Sequence, residues 1–287
     1  THLLHNMKEV TFKVVSNRPI APATWKMVLE GDTGAVEGAG QFVELALGGL
    51  FLRRPISVCC VDEGRLTLVY KVVGEGTGMM SRMLPGEKLD ILTGLGHGFD
   101  TAACSGSALL IGGGVGTAIA FPVAKKFHEE GAEVDLIVGF RNKDVVILED
   151  EFRKACTNLY IGTDDGSYGK KALVTELLQE QIDLGKQYDE VFCVGPLKMM
   201  KFVCAVTKPY GLKTLVSMSP LMVDGTGMCG GCRLTVGGEM KFACVDGPDF
   251  DGHEVDFDEA IHRGAQYREF EKHAYEAACN LFKKEVQ

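Results

Sequence analysis

Basic residues are in short supply in this chain. There are 30 Lys and Arg against 39 Asp and Glu, for a formal net charge of -9. With no basic stripe, nucleic acid and anionic membrane are excluded as main partners. A long hydrophobic run is missing too. The longest apolar stretch, SALLIGGGVGTAIAFPVA, is broken by glycine and proline, so it reads as strand, turn and helix start, not as a membrane span. The opening THLLHNM has neither the basic region nor the apolar core of a signal peptide. Met7 therefore reads as the natural start, and the expected compartment is the cytoplasm. Internal repeats, low-complexity linkers and a compelling acid–base catalytic pair are also missing.

What is present is a chain of 287 residues, 46% hydrophobic, long enough for two domains and a small third module. From Val10 to Leu92 the runs VTFKVVS, TWKMVLE, QFVELAL, PISVCCV, RLTLVYKVV and KLDIL read as short strands parted by turns. Such spacing predicts a small closed β-barrel over residues 7–98. Over 99–218 apolar β-rich runs alternate with amphipathic helices, which predicts a doubly wound parallel sheet of about five strands. Residues 219–260 form a Gly/Cys-rich module with little room for a core of its own, expected to need a bound inorganic centre. Residues 261–287 read as a helical tail whose apolar face (Tyr267, Phe270, Ala274, Ala277, Leu281) would pack on the body or on a partner.

Of the ten cysteines, most lie in apolar runs, as Cys59 and Cys60, Cys193 and Cys204 do, where a thiol packs as a small hydrophobe. Only Cys229, Cys232 and Cys244 are grouped among glycines. That pattern fits a reducing compartment and one metal or cluster site. Together with Asp224 they spell Asp-x4-Cys-x2-Cys-x11-Cys, the register of a plant-type [2Fe–2S] site with aspartate in the first place. A zinc knuckle of three cysteines and a fourth donor such as His253 is the alternative. In another, Asp224 is a solvated loop residue.

Phosphate-binding signals occur in both larger units. In the barrel, Arg54-Pro55-Ile56-Ser57 joins two strands, and an Arg fork with a Ser hydroxyl suits a flavin pyrophosphate. Tyr70-Lys71-Val72 ends a strand ahead of the turn holding Gly76 and Thr77, where a helix begins. In the second unit Gly113, Gly114, Gly116 and Thr117 follow a strand and open a helix, the context of a dinucleotide turn. Thr117 takes the last glycine's place, and the next strand ends Gly139-Phe140-Arg141 without a ribose-binding acid, so the ordinary rule for NAD against NADP fails. Asp164 or Asp165 could meet a ribose instead. Cys193, Gly195 and Pro196 end a later strand where a nicotinamide would sit. The plainer reading of Cys193 is core packing.

RRPIS, YKVVGEGT, GGGVGTA and CVGPLKMM occur in the order found in the ferredoxin–NADP reductase superfamily. With the C-terminal module, residues 8–260 resemble the electron-transfer subunits of class 1B dihydroorotate dehydrogenase. They are still more similar to the small-subunit family of NADH-dependent reduced ferredoxin:NADP oxidoreductases, where one Asp and three Cys replace four Cys. The resemblance implies FAD at Arg54, Ser57, Gly76 and Thr77, NAD(H) at Gly114, Gly116 and Cys193, and [2Fe–2S] at Asp224, Cys229, Cys232 and Cys244. It also implies a larger flavin and [4Fe–4S] partner subunit in which electron bifurcation occurs. Two rivals are a dihydroorotate dehydrogenase electron-transfer subunit and a non-catalytic, zinc-stabilised nucleotide-binding subunit.

Overall fold

In the computed structural model, which describes residues 7–99, 106–267, 269–271 and 273, alternation of apolar and polar residues shapes the first unit. In β2 (Thr24–Glu30) Met27 and Leu29 point inward and are fully buried, while Lys26 and Val28 are less so. The long β1 (Lys8–Ala21) pairs with β2 at one end and with β6 (Lys88–Leu95) at the other. With β3 (Phe42–Leu45), β4 (Arg54–Asp62) and β5 (Arg65–Lys71) the sheet closes in the order β1-β2-β5-β4-β3-β6. Closure leaves no unpaired edge. A short helix, α1 (Glu75–Ser81), follows β5.

The second unit holds β7 (Ser107–Gly113), β8 (Glu133–Phe140), β9 (Asn158–Thr163), β10 (Lys170–Lys171), β11 (Glu190–Val194) and β12 (Thr214–Ser217). Between them run α2 (Thr117–Glu129), α3 (Glu149–Ala155), α4 (Val174–Asp183) and α5 (Leu197–Thr207). β7, β8 and β11 are apolar almost throughout because helices cover both faces of a parallel sheet. The sheet has seven strands rather than about five, in the order β10-β9-β8-β7-β11-β12 with β15 (Asp249–Asp251) at the far edge. The two extra strands are short edge pieces. β10 has two exposed lysines and no apolar pattern to announce it.

The other addition, β15 (Asp249–Asp251), comes from the cysteine-rich module and pairs antiparallel with β12. That module also contains the hairpin β13 (Arg233–Val236) and β14 (Glu239–Phe242), the single turn α6 (Ala243–Asp246) and α7 (Phe257–Arg263). Its buried residues Leu234, Ala243, Phe250 and Phe257 join one continuous core with Val191, Met200 and Val216 of the second unit. Shared burial, not only an inorganic centre, therefore holds it in place. Tyr267 and Phe270 of the tail are exposed, and Ala274, Ala277 and Leu281 lie outside the described residues. Among the described residues no helix is long and apolar enough to cross a membrane.

The three units meet at a cavity of about 200 Å³ lined by His97, Phe99, Glu190, Lys213, Leu215 and Asp249. Lys213 pairs with Glu190 at 2.9 Å, but the carboxyl oxygens of Asp249 are buried without a well-formed hydrogen bond. Burial lifts Asp249 to about 7, with Ser217 pulling weakly the other way. A carboxyl raised in the folded state favours folding while protonated. Its contribution is whole below the unfolded value near 4 and is lost as pH rises through 7. Asp249→Asn should therefore gain stability relative to the parent protein between pH 4 and 8, by up to about 4 kcal/mol. Denaturant titrations across that range measure it, and a pH-independent difference between the two proteins would contradict it.

Candidate functional site

Open parallel sheets bind ligands beyond the carboxyl ends of their strands. Here a cavity of about 290 Å³ lies at the ends of β7, β8 and β9. Gly113, Gly114, Gly139, Arg141 and Asp164 line its polar side, and Leu173, Val174, Pro196, Met199 and Phe202 its apolar side. Gly114 adopts a left-handed φ of 56°, which a side chain resists, and nothing crowds it. Gly116 is tight for a different reason: a Cβ there would stand 2.9 Å from the Val194 carbonyl. The turn thus packs directly on the end of β11 and aims the start of α2 at the cavity, a ready anion site.

Thr117 at the last glycine position has a structural answer. Its hydroxyl donates to the Gly114 carbonyl at 2.8 Å, and its methyl group fills the space that a Cβ on Gly112 would need. The threonine keeps the turn closed while remaining fully buried. Gly195 and Pro196 sit beside Gly113, against Met199. Cys193 is buried in the core near Cys204, and burial raises its thiol well above the ordinary range. It lies among the core residues, not among those lining the cavity. Asp164, at the end of β9, lines the cavity, whereas Asp165 accepts hydrogen bonds from Ser167. Leu173, Thr175 and Phe202 were not singled out from sequence. The start of the helix after β10 was the available signal, since its residues must face the strand ends.

In the barrel the two flavin signals come together. The Arg54 guanidinium lies over Gly76, where a Cβ would fall 2.3 Å from its Nε. Arg54 also donates to the Leu52 carbonyl at 2.6 Å. Thr77 accepts from the Val73 and Gly74 amides at 2.9 and 3.2 Å, which fixes the turn before α1. Arg54, Pro55, Ile56 and Ser57 run along β4 and are partly exposed, as is Val72, while Lys71 is exposed. Tyr70 faces inward: its hydroxyl donates to Asn17 at 3.0 Å, and burial lifts it to about 12. Tyr70 thus ties the barrel wall to Asn17. A cradle that a Cβ would fill, with an Arg above it, fits a bound diphosphate.

The cysteine loop lies against this barrel. A Cβ on Gly225 would meet Leu95 of β6 at 3.0 Å and the Glu44 carboxyl of β3 at 3.3 Å. Glu44 is fully buried and neither of its oxygens finds a donor. Burial, then the Asp224 carboxylate, raise Glu44 to about 7, against the pull of Arg53. Asp224 itself accepts from the Thr226 amide at 2.8 Å.

Cys232 and Cys244 are buried with sulfurs 3.2 Å apart, too far for a disulfide. The hydrogen bond shared by the two thiols depresses the Cys232 thiol and raises that of Cys244, and the Cys244 amide donates to the Cys232 sulfur at 3.5 Å. Cys229 is exposed, and its sulfur accepts from the Gly231 amide at 3.4 Å. Paired thiols with amide donors to their sulfurs suit an iron–sulfur centre. His253, the fourth donor of the zinc alternative, pairs with the Thr207 hydroxyl at 2.9 Å. Among the described residues no three His, Cys, Asp or Glu close on a single ion.

The family model for the iron–sulfur cluster binding domain of dihydroorotate dehydrogenase B matches residues 219–256. That of the oxidoreductase NAD-binding domain matches residues 110–205. The chain is 44% identical over 240 residues to the dihydroorotate dehydrogenase B (NAD(+)) electron transfer subunit homolog of Thermotoga maritima, covering 83% of this chain and 84% of that one. It is 37% identical over 254 residues to the electron transfer subunit of Geobacillus thermodenitrificans, covering 84% and 96%. A chain of the NADH-dependent reduced ferredoxin-NADP oxidoreductase structure superposes with a TM-score of 0.87 at 37% identity, covering 93% and 98%. The barrel followed by a parallel sheet is also the fold of a ferredoxin NADP+ reductase from Neisseria gonorrhoeae, at a TM-score of 0.61 and 16% identity. With its NAD-binding oxidoreductase domain and iron–sulfur-binding domain, the chain belongs to the family of dihydroorotate dehydrogenase B electron-transfer subunits and their homologues.

Proposed function

We propose that this chain passes electrons between NAD(H), FAD and a [2Fe–2S] cluster, and exchanges them with a larger flavin and [4Fe–4S] subunit in which bifurcation takes place. The observation that carries the reading is the seat of the cysteine loop. Gly225 rests on β3 and β6, and β3 pairs with the strand that bears Arg54 and Ser57. Flavin supplies the conversion of a hydride's electron pair into the single electrons that a [2Fe–2S] centre carries. Arg54, Ser57, Gly76 and Thr77 would hold the FAD diphosphate. Gly113, Gly114, Gly116 and Thr117 would present the start of α2 to the NAD(H) diphosphate, with Asp164 toward a ribose. Asp224, Cys229, Cys232 and Cys244 would ligate iron. The residues bind and orient; no side-chain proton transfer is needed beyond holding donor against acceptor. The units that do this are a barrel over 7–98, a nucleotide domain over 99–218 and a cluster module over 219–260.

The test is direct. Protein purified without air should be yellow-brown, and its flavin should bleach on adding NADH. A colourless preparation with stoichiometric zinc would reject the reading. Asp224→Cys should keep its iron but change the EPR spectrum of the reduced cluster, because a thiolate replaces a carboxylate. An unchanged spectrum removes Asp224 from the ligand set. The Thermotoga and Geobacillus relatives favour a second reading, in which the partner oxidises dihydroorotate. Co-purification with a dihydroorotate-oxidising subunit would decide for it.

A further inference from the structure

We propose that Arg263, at the end of α7, is a positioning residue that raises the reduction potential of the cluster by clamping the Gly231 carbonyl in the loop between Cys229 and Cys232. The inference rests on the cluster assigned above. It extends past the residues that match the iron–sulfur domain, which end at 256.

Gly230 and Gly231 lie between Cys229 and Cys232, and both of their carbonyls are taken by arginines. Arg233 donates to the Gly230 carbonyl at 3.1 Å, and Arg263 to the Gly231 carbonyl at 3.3 Å. The other side of the Gly231 residue does the chemistry: its amide donates to the Cys229 sulfur at 3.4 Å. Cys229 is the exposed one of the three thiols, whereas Cys232 and Cys244 are buried. Water can compete for its sulfur, so its hydrogen bond depends on how the loop is held. That amide belongs to the Gly230–Gly231 peptide, whose carbonyl Arg233 holds, and Arg263 clamps the next peptide through the Gly231 carbonyl, so the two guanidiniums hold the glycine from both sides and bring positive charge to the loop between the two cysteines.

Arg263 can do this because α7 is itself anchored. Asp256 caps it by accepting from the Glu259 amide at 2.9 Å, and Phe257 is buried. Asp258 pairs with Lys201 of α5 at 2.6 Å. α5 in turn carries Met199 and Phe202, which line the nucleotide cavity. The helix therefore hangs from the nucleotide-binding unit and reaches the loop from outside the cysteine motif. Reduction adds negative charge to a cluster, so a nearby guanidinium favours the reduced form, and hydrogen bonds to sulfur act the same way.

The experiment is an EPR-monitored redox titration of the intact, iron-loaded protein with Arg263→Gln and Arg263→Lys, with iron and flavin assayed alongside. Arg263→Gln should keep its iron and shift the midpoint downward, equivalent to about a tenfold loss of reduced cluster at fixed potential, or about 59 mV for one electron. Arg263→Lys should recover much of the shift because the charge returns. Equal midpoints in parent and Arg263→Gln, with iron intact, overturn the proposal and leave the assigned cluster standing. Loss of iron in both variants also overturns it, since the residue would then only support the fold. Loss of iron in the Gln variant alone overturns it as well, since the residue would then serve to load the cluster and not to set its potential. Absence of iron from the parent protein would instead sink the cluster reading itself.

Discussion

Gly116→Val protein should bind NADH about 100-fold more weakly than the parent, about 2.7 kcal/mol, while keeping its flavin and iron. The argument is steric. Gly116 has an ordinary helical φ of -60°, so a side chain costs nothing in backbone conformation. What forbids one is the neighbour: the Val194 carbonyl at 2.9 Å and the backbone of Gly195 at 3.1 and 3.2 Å. Those atoms belong to the end of a central strand and cannot step aside as a flexible side chain would. The turn must lift instead, taking the first amides of α2 away from the phosphate position. Gly114→Ala supplies the contrast. A Cβ there meets nothing, and the left-handed φ of 56° adds strain of only about 1–2 kcal/mol. Quenching of protein or flavin fluorescence on titration with NADH measures both. If Gly116→Val binds within twofold of the parent, the cavity at the strand ends is not where the nucleotide docks.

Much of this arrangement could be read in the chain before any coordinates. Strict alternation in TWKMVLE and RLTLVYK marks barrel strands, because a wall with one wet face has a two-residue period. The apolar runs ALLI and DLIVGF mark strands covered on both sides. The strand–turn–helix context of Gly113 to Thr117 was legible because glycines stand between an apolar run and an amphipathic one, and the cysteine loop because Cys229, Cys232 and Cys244 are grouped among glycines.

What stayed hidden depends on contacts between distant segments. β15 is three residues, and nothing in Asp-Phe-Asp says that it completes the sheet of another unit. Glu44 looks like any polar residue in an alternating strand, yet it is fully buried, with Gly225 of the cysteine loop against its carboxyl. Phe202 looks like a helix-packing residue, yet it is exposed beside the cavity at the strand ends. Tyr70 and Cys193 went the other way. Each stands in a motif, but the pleat turns both inward, toward Asn17 and toward the core. Motif membership fixes the path of the backbone more firmly than the direction of every side chain along it.

Cys244→Ser should abolish the cluster and cut electron delivery to a partner subunit by at least about 100-fold, with NADH still bleaching the flavin at near the parent rate. The chain has other buried thiols, and burial alone does not distinguish them. Cys59, Cys193 and Cys204 are as sheltered as Cys244, and burial raises each of their thiols. Cys244 differs in what it faces: the Cys232 sulfur at 3.2 Å, with Asp224 close enough to act on its charge. On the proposed ligand set, replacing its sulfur removes a ligand from the centre, whereas replacing the Cys204 sulfur removes only a packing atom. Cys204→Ser should therefore keep its iron and lose stability alone. The module should not unfold in Cys244→Ser, because Leu234, Phe250 and Phe257 remain in the core shared with the nucleotide-binding unit. Iron content, flavin bleaching and reduction of the partner separate the two variants. A Cys244→Ser protein that keeps both its iron and its electron output would leave the loop without its assigned task.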